Sequence, residues 1–294
     1  MLLSQIITGL AIGALYSLVA VAVVLVYSGT RVLSLAMGEI GAFGLFLALR
    51  WSDHGVPLVG WRPSPLVVGL IAVVAGALLG LVVERLVIRP LVTRPAFDAL
   101  VATLGVALFL ALLEVQLFDA INPVTVPSPV GTGRLEVLGA TLFAPLVASL
   151  ILAVVVAGGL YLLLNRTRFG LSTRAATGDP TVARLLGVDV QQVYRFTWGV
   201  GGALSGLAAA LNTPTGGLVP FGQTTFALGA LAGAVIGGLD SLGGAVAGSL
   251  LVGVVTGIVA PRYGAGGTAA AVLILVLGTL LLRPRGLFGT ARTA

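Results

Sequence analysis

Apolar residues in this chain gather in long blocks, and the polar and charged residues fall between them. Residues 1–30 carry no charge, residues 64–83 carry none, Ala99 to Phe118 holds a single Glu114, and Val137 to Asn165 is uncharged. Blocks of about 20 apolar residues match the hydrocarbon thickness of a bilayer, so the pattern predicts an all-α, polytopic bundle of membrane helices. The stretch from Phe196 to Leu239 is uncharged for 44 residues, too long for one span. Pro214, Gly216, Gly217 and Pro220 divide it into an outgoing helix, an outer turn and a shorter returning helix from about Thr224. Ala245 to Ala260 then leaves again and Thr268 to Leu282 comes back. The count is eight hydrophobic blocks, or nine crossing segments, depending on whether 31–50 and 224–240 are full spans.

Two segments interrupt the blocks, one in each half of the chain. Arg31 to Arg50 is apolar but broken by Ser34 and by Gly38-Glu39, with Gly38, Gly41 and Gly44 at i+3 spacing. Gly237 to Gly244 places four glycines around Asp240-Ser241, which disfavours a continuous helix. Corresponding broken helices in two halves point to a transport pathway, because freed backbone groups need a wet cavity or protein around them. Between Phe118 and the next block, INPVTVPSPVGTGRLEVLGA predicts an outer hairpin or irregular loop, and Trp51 to Pro63 a short outer loop.

One long polar island stands apart, Asn165 to Arg195, carrying Arg166, Arg168, Arg174, Asp179, Arg184, Asp189 and Arg195. Asp179-Pro180 is a helix start, with a carboxylate able to cap free N–H groups and proline preset at the first helical position. Gly187 is the matching stop. The enclosed helix is roughly 10 Å long, too short to span a bilayer and marginal alone in water. Val182, Leu185 and Leu186 make one apolar stripe on it, which suggests that something docks there; the alternative is a solvated loop between membrane helices. Asp189 can cap the helix that follows.

Composition agrees with the blocks. Of 294 residues 58% are hydrophobic and 9% charged, with a mean hydropathy of +1.13, where a soluble domain would carry about a quarter charged residues. No cysteine is present, which excludes a disulfide framework, a thiolate metal site and a cysteine nucleophile. His54 has no second histidine with which to hold a metal, and no carboxylate cluster, catalytic dyad or nucleotide-binding loop is apparent. An enzyme is therefore disfavoured.

The net charge of +6 comes from arginines near the ends of apolar runs, a positive-inside pattern and not a nucleic-acid stripe. Arg31, Arg85, Arg89, Arg94, Arg166, Arg168, Arg174, Arg184, Arg195, Arg283, Arg285 and Arg292 fall inside; Arg50, Arg62, Arg134 and Arg262 fall outside. The N-terminus is then outside and the C-terminus cytoplasmic. Lacking the basic start of a cleaved signal peptide, the first helix is expected to stay.

Small residues recur four apart at Gly9-Gly13-Ser17, Gly76-Gly80, Gly202-Gly206, Gly229-Gly233-Gly237, Gly244-Gly248 and Gly253-Gly257, which lets helix backbones approach closely in lipid. Glu39 is expensive within an apolar segment and should face a cavity, a pathway or a partner, unless it sits at the inner membrane interface or pairs structurally with an arginine such as Arg31. Glu84 beside Arg85 reads as a surface or structural pair. Glu114, one turn from an outer helix end, can simply snorkel.

Taken together, GLAIGALYSLVAVAVVLVYSGTRVLSLAMGE, ERLVIRPL, ALVATLG, RTRFGLSTRAATGDPTVARLLGVDVQQV, IGGLDSLGGAVAGSLLVG and LLLRPRGLFG resemble the LivH/LivM-type permeases of ATP-binding-cassette importers for branched-chain amino acids. The likeness covers nearly the whole chain, residues 1–294, as a single permease domain. It implies that the segment 165–195 is the coupling segment pressing on an ATPase, through Arg174, Asp179, Arg184, Leu185, Leu186 and Gly187. It also implies a bacterial inner-membrane subunit with no cofactor, which pairs with a second permease, identical or homologous. The further partners implied are two cytoplasmic ATPase subunits and an extracytoplasmic substrate-binding protein, with no nucleic acid.

Ser34, Gly38, Glu39, Thr103, Asp240 and Ser241 are the expected path residues. Ser34-Leu35-Ala36-Met37-Gly38-Glu39 stands where the family shows an Asn-Phe-Ala-His-Gly-Glu-like run, and Asp240 where it shows glycine. These departures touch the cargo more than the fold. Urea or another small organic solute is the alternative cargo, and a secondary transporter using Glu39 or Glu114 as a proton site is the alternative class.

Overall fold

A computed structural model describes residues 2–54, 64–92, 94–118, 133–137, 140–219 and 221–289. The expected outer loop lies outside the described residues from residue 55 to 63, as do residues 119–132 of the expected hairpin region, Pro220, Arg62 and Arg292. The helices are α1 (Leu2–Thr30), α2 (Met37–His54), α3 (Pro65–Val83), α4 (Arg89–Leu91), α5 (Ala96–Phe118), α6 (Ala144–Arg166), α7 (Arg168–Gly178), α8 (Pro180–Leu185), α9 (Val190–Gly216), α10 (Gly222–Gly237) and α11 (Leu242–Leu282). A π turn, Glu84–Ile88, joins α3 to α4. Strands β1 (Arg134–Val137) and β2 (Ala140–Phe143) form a short antiparallel hairpin beside the helical bundle, with Arg134 opposite Phe143.

The bundle is organised around α1. This helix is apolar on every side, and such a helix belongs in a protein interior. Its residues from Leu15 to Val26 are buried without interruption except at Tyr16, against α9, α10, α11 and α6. By length and apolarity alone, Leu2–Thr30, Pro65–Leu91, Ala96–Phe118 and Leu242–Leu282 can cross a membrane, and α6 with α7 makes a fifth candidate bent by 80°.

The 41 residues of α11 do not form one rod. Gly264 has φ 64° and ψ −164°, outside the helical region, three residues after Pro261. Gly244 packs on Gly237, and the amides of Leu287 and Phe288 donate to Ile236 O and Gly237 O, so both ends of α11 lie at one elbow. A straight helix of that length would run about 60 Å. The chain therefore folds back near Gly264, as the separate blocks 245–260 and 268–282 anticipate.

Glycine pairs form the seams between helices. Gly9 and Gly13 of α1 lie on the backbone of Gly253 and its neighbours, Gly76 and Gly80 on Trp198 and Gly202, and Gly233 and Gly237 on Gly244, Gly248 and Ser249. A side chain at these positions would collide with main chain. In lipid, where no hydrophobic force draws helices together, such contact area and shape supply the association.

The second interruption falls where the glycines predict it. α10 ends at Gly237 with Gly238 as its C-cap, at φ 109°, and α11 begins after Ser241, whose hydroxyl accepts from Gly244 N at 3.0 Å. The first is narrower than expected. Only residues 31–36 leave the helix, and α2 resumes at Met37 and runs unbroken through Gly38, Gly41 and Gly44. Those glycines instead admit backbone: they abut Gln223 O, Ser205 O and Ala72 O.

Candidate functional site

Polar groups collect at two depths. At the elbow, the Arg31 guanidinium donates from Nη1 to Asp240 Oδ1 at 2.9 Å and lies over the Tyr27 ring at 5.3 Å. Arg31 has φ 57°, a left-handed backbone uncommon for a side-chain-bearing residue. The pair lines a cavity of about 500 Å³ with Ser241, Asn165, Arg174 and Tyr161, so the elbow and the polar island share one wall. Arg174 Nη1 donates to Asn165 Oδ1 at 3.3 Å. Arg31 is thus the partner of Asp240 and not of Glu39.

The deeper cluster lies where α2 and α10 begin. Gly38 abuts Gln223 O, so the two helix starts touch. Glu39, in the first turn of α2, is fully buried and accepts from Thr224 N at 2.8 Å and from the Thr224 hydroxyl. Its carboxyl thereby caps α10, whose own N-cap residue, Phe221, offers no side-chain bond. Two convergent N-terminal dipoles favour an anion there. Thr224 lies 13 residues before Gly237, about 20 Å above the elbow at helical rise.

Glu114 of α5 completes the cluster. It does not snorkel: it is fully buried and its carboxyl lies against that of Glu39. Phe118, one turn further on, stacks on Phe46 at 5.5 Å and meets Phe43 edge-on at 5.6 Å, which holds α2 and α5 in this register. Thr103, also on α5, secures the broken segment, since Leu35 N donates to its hydroxyl at 3.3 Å. Ser34 is 2% exposed and its hydroxyl is unpartnered.

The predicted path residues therefore divide. Ser34, Gly38, Glu39 and Thr103 surround the helix starts, while Asp240 and Ser241 stand at the elbow. Sequence reasoning passed over Thr224 and the burial of Glu114. The available signal was a second carboxylate within an uncharged block. Glu84 is not a surface residue: it is 1% exposed inside the π turn, with Arg195, Arg89 and Arg85 as its charged neighbours.

On the island, α8 has the expected form. Asp179 Oδ1 accepts from Thr181 N at 2.8 Å and Val182 N at 3.1 Å, and Gly187, at φ 81°, ends the turn. Asp189 caps α9 through Gln192 N. Ala183 faces inward against Ala176, Val190 and Val193, whereas Leu185 is 83% and Leu186 76% exposed. The island also contains α7, which sequence reasoning missed; Thr167 starts it by accepting from Gly170 N, and Phe169, Thr173 and Ala176 form its inward stripe.

A family model described as branched-chain amino acid transport system, permease component, matches residues 5–285. The high-affinity branched-chain amino acid transport system permease protein BraD of Pseudomonas aeruginosa is 27% identical, over 98% of this chain and 95% of its own. The probable branched-chain amino acid transport permease protein LivH of Methanocaldococcus jannaschii is 30% identical, over 92% of this chain and 88% of its own. Among solved structures, PsaBC from Streptococcus pneumoniae in complex with Fab overlays 94% of this chain and 89% of that chain, with a TM-score of 0.48 and 13% identity.

Proposed function

Because the chain belongs to the branched-chain amino acid transport permease family, and is thus an inner-membrane permease subunit of an ATP-binding-cassette importer, we propose how its parts divide the work. The cargo is a branched-chain or other hydrophobic amino acid, delivered by an extracytoplasmic binding protein. A second permease subunit completes the path, and two cytoplasmic ATPases supply the energy. The chain itself hydrolyses nothing. Nine segments cross or enter the membrane, with the N-terminus outside and the elbow, the island and the C-terminus cytoplasmic; the arginine distribution supports this orientation.

The observation that carries the reading is α8, capped at both ends and presenting Val182, Leu185 and Leu186 outward. Exposed leucines on a short polar segment cost solvation unless a partner covers them, and a carrier without an ATPase has no use for such a surface. Arg174, Asp179, Arg184 and Gly187 hold or flank the docking turn. Force on the island reaches Arg31 and Asp240 across the shared cavity wall, and from Arg31 it passes along residues 31–36 to Glu39. Ser34, Gly38, Glu39 and Thr103 form the deeper part of the path; Asp240 and Ser241 form its inner gate.

Uptake of radiolabelled leucine into proteoliposomes holding the complete transporter tests this. Import that needs both ATP inside and the binding protein outside is expected. Import driven by a proton gradient without ATP would instead establish a secondary transporter.

A further inference from the structure

The cavity of about 500 Å³ shared by the island and the elbow has a basic lining and an apolar approach. Arg31 and Arg174 both line it, against one carboxylate among its described walls, Asp240, which Arg31 already holds. Leu242 and Gly243, the first residues of α11, put the positive end of a helix dipole on the same space. The lining is therefore left with an excess of positive charge.

The approach is built by α6 and α7. On α6, Ile151, Val154, Val155 and Leu162 recur at i, i+3, i+4 and i+11 and are all more than half exposed, so they form an apolar stripe on the outer side of the helix. Tyr161, 56% exposed, stands at the end of that stripe and lines the cavity; tyrosine is enriched at membrane–water boundaries. The chain then bends by 80° into α7, which presents Arg168, Leu171 and Arg174, three residues apart and all exposed, along one side. A helix turned across the axis of its neighbour, with arginines flanking an outward leucine, has the form of an interfacial helix.

We propose that this cavity binds the phosphate group of an anionic phospholipid, whose acyl chains lie along the exposed stripe of α6. Basic pockets between membrane helices suit such headgroups, because guanidinium and phosphate pair through parallel N–H···O bonds. A phosphodiester carries the negative charge that the lining lacks, and it bridges Arg174 of the island and Arg31 of the elbow. The volume is within the range of small-molecule sites, about 300–1,000 Å³, so a glycerophosphate head fits. A soluble phosphate compound shares the chemistry of the head but makes no use of the stripe. That the lipid comes from the inner leaflet rests on the orientation proposed above; the site itself does not.

Native mass spectrometry of the full chain, alone and in the complete transporter, tests the site in micelles doped with dioleoylphosphatidylglycerol, dioleoylphosphatidylcholine or dioleoylglycerol. Phosphatidylglycerol is expected to stay on the chain, and dioleoylglycerol, which lacks phosphate, is not. Phosphatidylcholine, whose own cation offsets its phosphate, should be retained roughly tenfold less. Arg174→Gln should weaken phosphatidylglycerol retention by roughly tenfold, and Arg174→Lys, which keeps the charge, by less. Gly243→Glu separates binding from folding: its side chain meets open space and a carboxylate suits the first turn of a helix, so the melting temperature should hold while the lipid is lost. Equal retention in the wild-type chain, Arg174→Gln and Gly243→Glu would mean lipid held elsewhere and overturn the proposal. Retention by the chain alone but not by the complete transporter would mean that a protein partner covers this wall, and would overturn it equally. So would inorganic phosphate raising the melting temperature as much as phosphatidylglycerol does, which would make the ligand a soluble anion. ATP-driven leucine uptake reads the permease proposal separately: import without retained lipid removes only this site, and retained lipid without import removes only the cargo assignment.

Discussion

Arg31 and Asp240, 209 residues apart in sequence, meet at 2.9 Å and join the two places where the helical pattern is interrupted. Their side chains are 31% and 42% exposed, so the pair contributes about 0–1 kcal/mol. That is enough to bias a gate and too little to lock one. Asp240→Asn is expected to raise ATP hydrolysis uncoupled from cargo by up to about fivefold, the equivalent of such an energy. The exchanged pair, Arg31→Asp with Asp240→Arg, should bring coupling back. Unchanged ratios of ATP hydrolysed to leucine imported in Asp240→Asn would remove the gate from these residues.

Replacing Leu185 and Leu186 together by Asp is expected to abolish ATP-driven uptake while the bundle still inserts, because both side chains point away from the protein. Copurification with the ATPase is the decisive measurement. A variant that still retains its ATPase and transports normally would show that α8 is only a solvated turn.

The caps of α8 give a graded version of the same test. Asp179→Ala removes the acceptor for Thr181 N and Val182 N and should cost about 1 kcal/mol of local helix stability, while Asp179→Asn retains most of it. ATPase affinity measured across the series should fall in the order wild type, Asn, Ala.

Glu39 is both an ionisable carboxyl and the cap of α10, and two substitutions separate these roles. Glu39→Gln keeps a carbonyl oxygen for Thr224 and should slow uptake without changing which cargo is chosen. Glu39→Ala also loses the cap, so its melting temperature should fall below that of the Gln variant. Equal uptake rates in wild type and Glu39→Gln would take the carboxylate out of the path.

Gly80 faces Trp198 O with no room for a side chain. Gly80→Leu forces α3 and α9 apart and should destabilise the bundle by about 1–3 kcal/mol or more. Gly105, which has open space around it, serves as the control: Gly105→Leu should leave the melting temperature nearly unchanged.

Features written in neighbouring residues were legible in the sequence. Asp179-Pro180 and Gly187 bound α8, Ser241 and the glycines around it break the chain between α10 and α11, and the uncharged blocks become the bundle. Each depends on caps or composition within a few positions. Gly38, Gly41 and Gly44 were misleading because glycine serves a break and a close helix contact equally well, and only the position of Ser205, Gln223 and Ala72 decides between them. The Arg31–Asp240 pair and the Glu39–Glu114 cluster were out of reach for a related reason. They are made by helices that meet only after the chain has folded, although the lone charge of Asp240 in an uncharged stretch was a hint that it needed a partner.

The burial of α1 has a consequence for how the subunit is made. α1 leaves the ribosome before α9, α10 and α11, the helices that finally enclose it. During synthesis its glycine face at Gly9 and Gly13 has no native cover until Gly253 and Gly257 arrive. Membrane assembly is therefore governed by contacts between segments distant in sequence, a slow class of pairing that leaves intermediates open to aggregation and proteolysis. A chain cut within α11 is then an inserted set of helices whose central helix lacks part of its cover, and a quality-control protease would meet it in that state.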